Sequence, residues 1–395
     1  MGVPRFEPFA ALRYTVDLDA VIAPPYDVVS DSEVDALAAS DEHNIVHVDI
    51  PRERDGDDRY ERAADRLRSW IDAGVMVADE TPSLTLYRMR FTDSAGADRD
   101  IVGVMGGLEV VDDGAGGVLP HERTTPKAST DRLDLTRATG CNLSPIWGLS
   151  LAGGLTDLLT PAAEPMGSVT VDGVVHSVER LTDAERIGAI CAAVGSDDVL
   201  IADGHHRYGI ARTYRDEIRR SAGSDATPAE LTLAFVSELV ADQLSVDAIH
   251  RLYAAPGFDE LRDRLAVSFD IEPAGPVDGS TLAQMGERGA LCLVDAAGDG
   301  AWLLPKPGVF DGVRALDGAW LEHALRDVEV DVTYQHGVDR VLDAVRSGAA
   351  AAGVLIRPVS VAEIERTARE GLLMPPKSTF FTPKLRTGLV VRTLT

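Results

Sequence analysis

Apolar residues recur at two spacings along this chain, and the spacing marks the elements. Positions 58–73 carry Ala63, Leu67, Trp70 and Ile71 at helical intervals and stop at Gly74, which predicts a helix with a glycine end. Further helices are expected over 32–39, from about 129 or 130 onward, and over 319–328, 338–347 and 361–370, the last stopped by Gly371. Strands are expected at 45–50, 84–91, 101–110, 329–334 and 352–357, with the turn-like Ser94-Ala95-Gly96 between the second and third. Residues 231–240 form a run too apolar to separate a strand from a buried helix. The run Val199-Leu200-Ile201-Ala202 turns through Gly204 into a helical pattern reaching about residue 220. Near the start, Val21-Ile22-Ala23-Pro24-Pro25-Tyr26-Asp27-Val28 reads as a stiff, extended approach to a turn. Mixed elements with loops at strand ends predict an α+β (mixed α/β) protein. There is no repeat and no low-complexity linker. The chain is read as an N-terminal and central region, 1–260, and a C-terminal region, 261–395, which can also pack as one domain.

Composition narrows this picture. With 395 residues, 45% of them hydrophobic, the chain can bury a full core despite a net charge of −26. The acid is spread throughout, so it is not a disordered tail. Only Lys127, Lys306, Lys377 and Lys384 are lysines; the other 34 basic residues (38 − 4) are arginines. Abundant Asp with almost no Lys matches proteins that work in molar salt, where surface carboxylates hold hydrated cations. An acidic chain from a GC-rich mesophile is the alternative. No basic patch invites duplex nucleic acid. No stretch resembles a signal peptide or a membrane span, so a cytoplasmic protein without a membrane partner is expected. Cys141, Cys191 and Cys292 are too scattered for a disulfide framework or a thiolate metal site.

The most chemical stretch is Asp203-Gly204-His205-His206-Arg207-Tyr208, at the exit of a strand into a helix. Glycine there lets an anion approach the backbone, and the first helical amides point toward it. A helix-capping Asp with satisfied histidines is the plainer alternative. Earlier, His121-Glu122 follows Pro120 in a hydroxyl-rich loop that ends in Lys127. Glu122 can serve as a general base, His121 as its orienter and Lys127 as an anion contact; a capped, solvated loop is the competing reading. Late in the chain, Lys377-Ser378-Thr379 follows two prolines and lacks the glycine lead of a phosphate loop, but Lys377 can still reach a shared pocket. His250-Arg251 and Tyr334-Gln335-His336 read as satisfied polar contacts. Three of the four lysines thus fall in segments that look chemical on other grounds.

Taken in order, Pro24-Pro25-Tyr26-Asp27-Val28, His121-Glu122 with Thr124, Asp203 to Tyr208, His250-Arg251 and Met374 to Leu385 resemble the family called domain of unknown function 1015. More distantly, Pro120-His121-Glu122 with the 203–208 turn is similar to the free-serine kinases of the ParB and sulfiredoxin-like superfamily. That resemblance implies a core of that fold with large α/β elaborations. It implies that Glu122, Asp203 and His206 are catalytic, with Glu122 taking the acceptor proton and Asp203 activating the acceptor or holding Mg²⁺. Gly204, His205, Arg207, Lys127 and Lys377 would hold phosphate, and His121, Tyr26, Asp27, Ser378 and Thr379 would contact substrate. About eighty residues separate Glu122 from Asp203, so a large insertion is expected between them.

The expectation is a nucleotide-dependent phosphotransferase, with ATP or ADP as donor and free L-serine as the best acceptor. A phosphoserine-type phosphohydrolase and a non-enzymatic nucleotide-binding switch use the same residues and stand as alternatives. Oligomeric state is not readable from the chain.

Overall fold

The structure is a computed structural model and describes residues 2–94, 96–123 and 129–394. The chain divides into two compact units. The first runs from the N-terminus to Ser245 and is joined by the segment from Pro383 onward; the second is Val246–Thr382. Residues 246–260 therefore go with the second unit.

The first unit is built on nine strands: β1 (Phe6–Glu7), β2 (Leu84–Thr92), β3 (Asp98–Glu109), β4 (Val118–Pro120), β5 (Ile146–Ser150), β6 (Glu164–Val171), β7 (Val174–Leu181), β8 (Val199–Asp203) and β9 (Leu231–Glu238). They pair in the order β4-β8-β5-β9-β3-β2-β7-β6, with β1 on β3. Two neighbours run parallel, β4 with β8 and β5 with β9, and the rest are antiparallel. The sheet is therefore mixed, as the α+β reading expects. Its central strands are buried on both faces, which explains why β9 (231–238) read as a continuous apolar run. Close strand packing is made possible by Gly103, where an added Cβ would sit 2.3 Å from the Phe235 ring.

Helices α1 (Asp31–Ser40), α2 (Val46–Asp49), α3 (Arg59–Asp72), α4 (Ser129–Thr139), α5 (Ala184–Val194) and α6 (His205–Ala222) belong to this unit. Ser30 starts α1 through a capping box with Glu33. Helix α3 buries Ala63, Ala64, Leu67 and Trp70, the stripe its spacing foretold. The strand expected at 45–50 is instead the single turn α2. Asn44 accounts for this: its Oδ1 accepts the Val46 amide at 3.1 Å while its Nδ2 donates to the carbonyls of Ala20 and Ile22. A side chain that caps the turn and ties it to the 18–22 segment outweighs the β-branched preference of Ile45-Val46.

The second unit is a six-stranded antiparallel sheet of β10 (Ile249–Ala255), β11 (Phe269–Pro276), β12 (Leu291–Val294), β13 (Asp299–Pro305), β14 (Asp331–His336) and β15 (Ala352–Leu355), ordered β11-β13-β12-β15-β10-β14. Both faces are covered. Leu291 and Leu293 pack with Leu321 of α7 (Asp317–Ala324), while Cys292 and Val294 pack with Val341 and Val345 of α8 (Val338–Arg346). Among the described residues, no helix is long and apolar enough to cross a membrane.

Candidate active site

The parallel pairing of β4 with β8 decides where the chemistry collects. Val118, Leu119 and Pro120 lie against Val199, Leu200 and Ile201. His121-Glu122 and Ala202-Asp203 thus leave two neighbouring strands at the same end, although some eighty residues separate them in sequence. Carboxyl ends of adjacent parallel strands are a common place for a ligand cleft.

Local chemistry then turns the chain. Gly204 adopts φ +89° and ψ 26° at the start of α6, a left-handed conformation that glycine takes without steric cost. Space requires it as well, because an added Cβ would meet Ile146 and the Arg207 guanidinium at 3.1–3.2 Å. The first helical hydrogen bond runs from the Tyr208 amide to the Gly204 carbonyl at 2.9 Å. The amides of residues 205–207 therefore face out of the helix end, where they favour an anion.

Asp203 is held between two cations. Its Oδ2 accepts from Arg207 at 2.6 Å and its Oδ1 from Lys384 at 3.0 Å. Burial pushes this carboxyl upward, but Lys384 and Arg207 outweigh it and hold the group well below the usual carboxylate range. Arg207 also donates to the Pro145 carbonyl, and its side chain is only 9% exposed. A divalent ion bound at Asp203 has to displace one of these two cations. Among the described residues, no group of three or more His, Cys, Asp or Glu is placed to hold a metal.

Beside this turn, His121 is fully buried. Its Nδ1 donates to the Ile201 carbonyl at 2.5 Å, and its Nε2 lies 3.8 Å from Glu122 Oε2. A carbonyl only accepts, so Nδ1 carries the proton and Nε2 faces the carboxylate. Burial lowers the His121 pKa against the pull of Glu122, which keeps the ring neutral near pH 7. The His121 and His205 rings sit 4.9 Å apart. His206 lies on the exposed side of the first turn of α6.

On the other side of Arg207 lies a cavity of about 50 Å³. Its polar mouth is formed by Tyr26, Asp49, Arg132 and Arg207, and its floor by apolar side chains including Leu135 and Tyr214. The Tyr26 turn is anchored from behind: Ala23 exchanges backbone hydrogen bonds with Thr387, and Val28 N–H closes on Pro25. The Arg132 guanidinium lies 3.7 Å over the Tyr26 ring and donates to Asp49 Oδ1 at 3.1 Å. Asp49 is 2% exposed, yet among the described residues its Oδ2 has no hydrogen-bond partner, and the Nε of Arg132 has only the Asp131 carboxylate at 3.7 Å. Burial raises the Asp49 pKa despite Arg132 and Arg207. Asp27 is exposed on the same turn, within electrostatic range of Arg207 and Asp49.

Glu122, His121, Asp203, Gly204, His205, Arg207, Tyr26 and Asp27 thus gather in the first unit. Lys127, like Thr124, lies outside the described residues. Lys377, Ser378 and Thr379 belong to the second unit. There the Lys377 carbonyl accepts from Arg251 at 3.1 Å, Ser378 Oγ donates to the Pro375 carbonyl at 2.7 Å, and Thr379 is buried. Three site residues escaped the sequence reading: Asp49, Arg132 and Lys384. The scarcity of lysine was the one available signal for Lys384. Asp49 was hidden by reading its turn as a strand, and nothing around Arg132 sets it apart from 33 other arginines.

Fold and site together define an α+β protein with a cationic, amide-lined turn at the paired ends of two parallel strands. The chain belongs to the family described as Protein of unknown function (DUF1015), whose model matches residues 6–319. No curated protein matches it in sequence. Among solved structures it is similar to a free serine kinase in complex with AMP, at 13% identity and a TM-score of 0.38, covering 67% of this chain and 83% of that one. A conserved hypothetical protein from Pyrococcus furiosus matches at 12% identity and a TM-score of 0.37, over 67% of this chain and 87% of the other. SbnI with C-terminal truncation from Staphylococcus aureus matches at 12% identity and a TM-score of 0.37, over 73% and 87%.

Proposed function

We propose that the first unit is a nucleotide-dependent phosphotransferase acting on a small hydroxylated acceptor, best represented by free L-serine. The observation that carries this reading is the register of β4 against β8, which sets a carboxylate base beside an amide-lined turn held by Arg207 and Lys384. Phosphoryl transfer asks for that combination: neutralised equatorial oxygens, alignment, and little covalent help from the protein.

In this reading the phosphates of ATP or ADP sit against the amides of 205–207, with Arg207 and Lys384 turning from Asp203 to the phosphate oxygens. His205 and His206 flank the same turn. Glu122 takes the proton from the acceptor hydroxyl. The neutral His121 beside it donates its one ring proton to the Ile201 carbonyl and offers Glu122 no hydrogen bond. The acceptor oxygen then bonds to the terminal phosphorus, the bond from that phosphorus to the bridging oxygen breaks, and the shortened nucleotide leaves with the electron pair. The cavity beyond Arg207 holds the acceptor. Among the described residues Asp49 Oδ2 accepts no hydrogen bond and asks for a donor such as an ammonium, whereas Arg132 Nε already lies 3.7 Å from the Asp131 carboxylate. An amino acid carries such an ammonium. Mg²⁺ bound with the nucleotide would add charge neutralisation, but the oxygens of Asp203 already face two cations, so the steps above rest on side chains alone.

The test is direct. Purified protein is incubated with ATP or ADP, Mg²⁺, KCl and a panel of hydroxylated acceptors, and products are read by mass spectrometry. O-phosphoserine formed in step with nucleotide consumption is the expected result. Release of phosphate from phosphoserine without nucleotide would mark a phosphohydrolase. Nucleotide binding with no acceptor-dependent product would mark a binding switch.

A further inference from the structure

A second cavity lies away from the strand ends, between α1, α2 and α3, with a volume of about 490 Å³. Five arginines line it, Arg52, Arg54, Arg59, Arg62 and Arg66, with two acids, Asp35 and Asp55. The lining thus carries three positive charges in excess (5 − 2), in a chain whose net charge is −26. Helical spacing produces the wall: Arg59, Arg62 and Arg66 stand three and four residues apart, along one face of α3. Four of the five arginines have an acid nearby: Arg52 and Arg54 share Asp35, Arg52 also meets Asp31 at 3.5 Å, Arg59 lies 3.9 Å from Asp131 and donates to Tyr60 Oη at 2.7 Å, and Arg62 meets Asp58 at 3.2 Å.

Two features point beyond a neutralised salt-bridge network. Among the described residues, the Nε of Arg52 and the Nε of Arg59 are both buried without a hydrogen-bond partner. Both are donors, so what would satisfy them is an acceptor. Arg66 makes no ion pair among the described residues. Buried guanidinium donors left unmade are costly, and phosphate oxygens match their fork geometry. The rim of the cavity decides the size of the ligand. Asp31, Asp58 and Asp65 crowd the outer edge of the same helices, so an extended acidic chain would be repelled there. A compact ion with high charge density reaches the arginines within a Debye length of roughly 8–10 Å.

We infer that this cavity is a second anion site, distinct from the 203–207 turn, which takes a small molecule bearing two or more linked phosphates. It shares the short α2 turn with the first cavity: His47 and Ile50 line the arginine groove while Asp49 lines the other.

Isothermal titration of the full chain with inorganic tripolyphosphate, at moderate KCl, tests this. Two sites per chain are expected. The double variant Arg62→Gln/Arg66→Gln, which leaves the Arg59–Tyr60 contact in place, should weaken one site at least tenfold and spare the other. The variant Arg207→Gln should do the converse. A single site in the wild type that Arg207→Gln abolishes would overturn the inference while leaving the proposed phosphate turn intact. Two sites that both survive Arg62→Gln/Arg66→Gln, in a variant with an unchanged melting temperature, would also overturn it. A single site in the wild type that Arg62→Gln/Arg66→Gln weakens and Arg207→Gln leaves untouched would count against the proposed phosphate turn and support this inference.

Discussion

Asp203 is half-buried with Lys384 on one oxygen and Arg207 on the other, and in the proposed reaction each cation exchanges that carboxylate for a phosphate. Lys384→Met should therefore weaken nucleotide binding about tenfold, and Lys384→Arg should restore part of it, as measured by equilibrium titration. Asp49 makes a different demand. Asp49→Asn keeps the size and the backbone contact to Arg132 but removes the charge. The apparent KM for L-serine should rise at least thirtyfold, with nucleotide affinity within a factor of three. An acceptor lacking the ammonium, such as glycerate, should lose little. Legibility at this scale followed chemistry concentrated in sequence. Asp203 to Tyr208 could be read because six residues carry the turn together, whereas Lys384, 181 positions away from its partner Asp203, became visible only through folding.

The elements set the distances. Glycine at 204 is needed for its left-handed conformation and for the room it leaves Arg207, so Gly204→Ala loads strain on the strand-to-helix turn. A loss of about 1–3 kcal/mol in unfolding free energy is expected by chemical denaturation, with phosphate affinity falling further than stability explains. Helix α3 was legible because its burial follows one spacing, and β2 because a long apolar-rich run ends at a turn signal. The short turn α2 was not, since four residues carry no period and Asn44 capping overrides the propensity of the apolar residues beside it. That misreading matters, because the turn delivers Asp49 to the cavity. The register of β4 on β8 was equally unreadable: a three-residue strand has no pattern of its own, and its partner lies beyond seven intervening strands and helices.

At the scale of the whole molecule, the second unit is inserted into the first, whose last segment returns to complete it. Thr387 bridges to Ala23, Val391 to Leu12, and Arg392 and Thr393 pair with Asn142 and Cys141. The boundary near 260 was drawn without any linker to mark it; the two units divide at Ser245/Val246, inside the short strand Ser245–Asp247. Net charge acts at the same scale. With −26 spread over the chain and four lysines among its 38 basic residues, self-repulsion opposes folding unless screened. The melting temperature should climb by about 10 °C or more between 0.2 M and 3 M KCl. A flat or falling profile would place the chain with acidic mesophilic proteins.

The phosphotransferase account stands most directly on Glu122 as the base at the end of β4. Steady-state kinetics of Glu122→Gln, with acceptor-dependent product and nucleotide affinity measured on the same preparation, isolates that role. Turnover should fall at least a hundredfold while the nucleotide dissociation constant stays within about threefold of wild type. Equal losses in both, or turnover left intact, would contradict it.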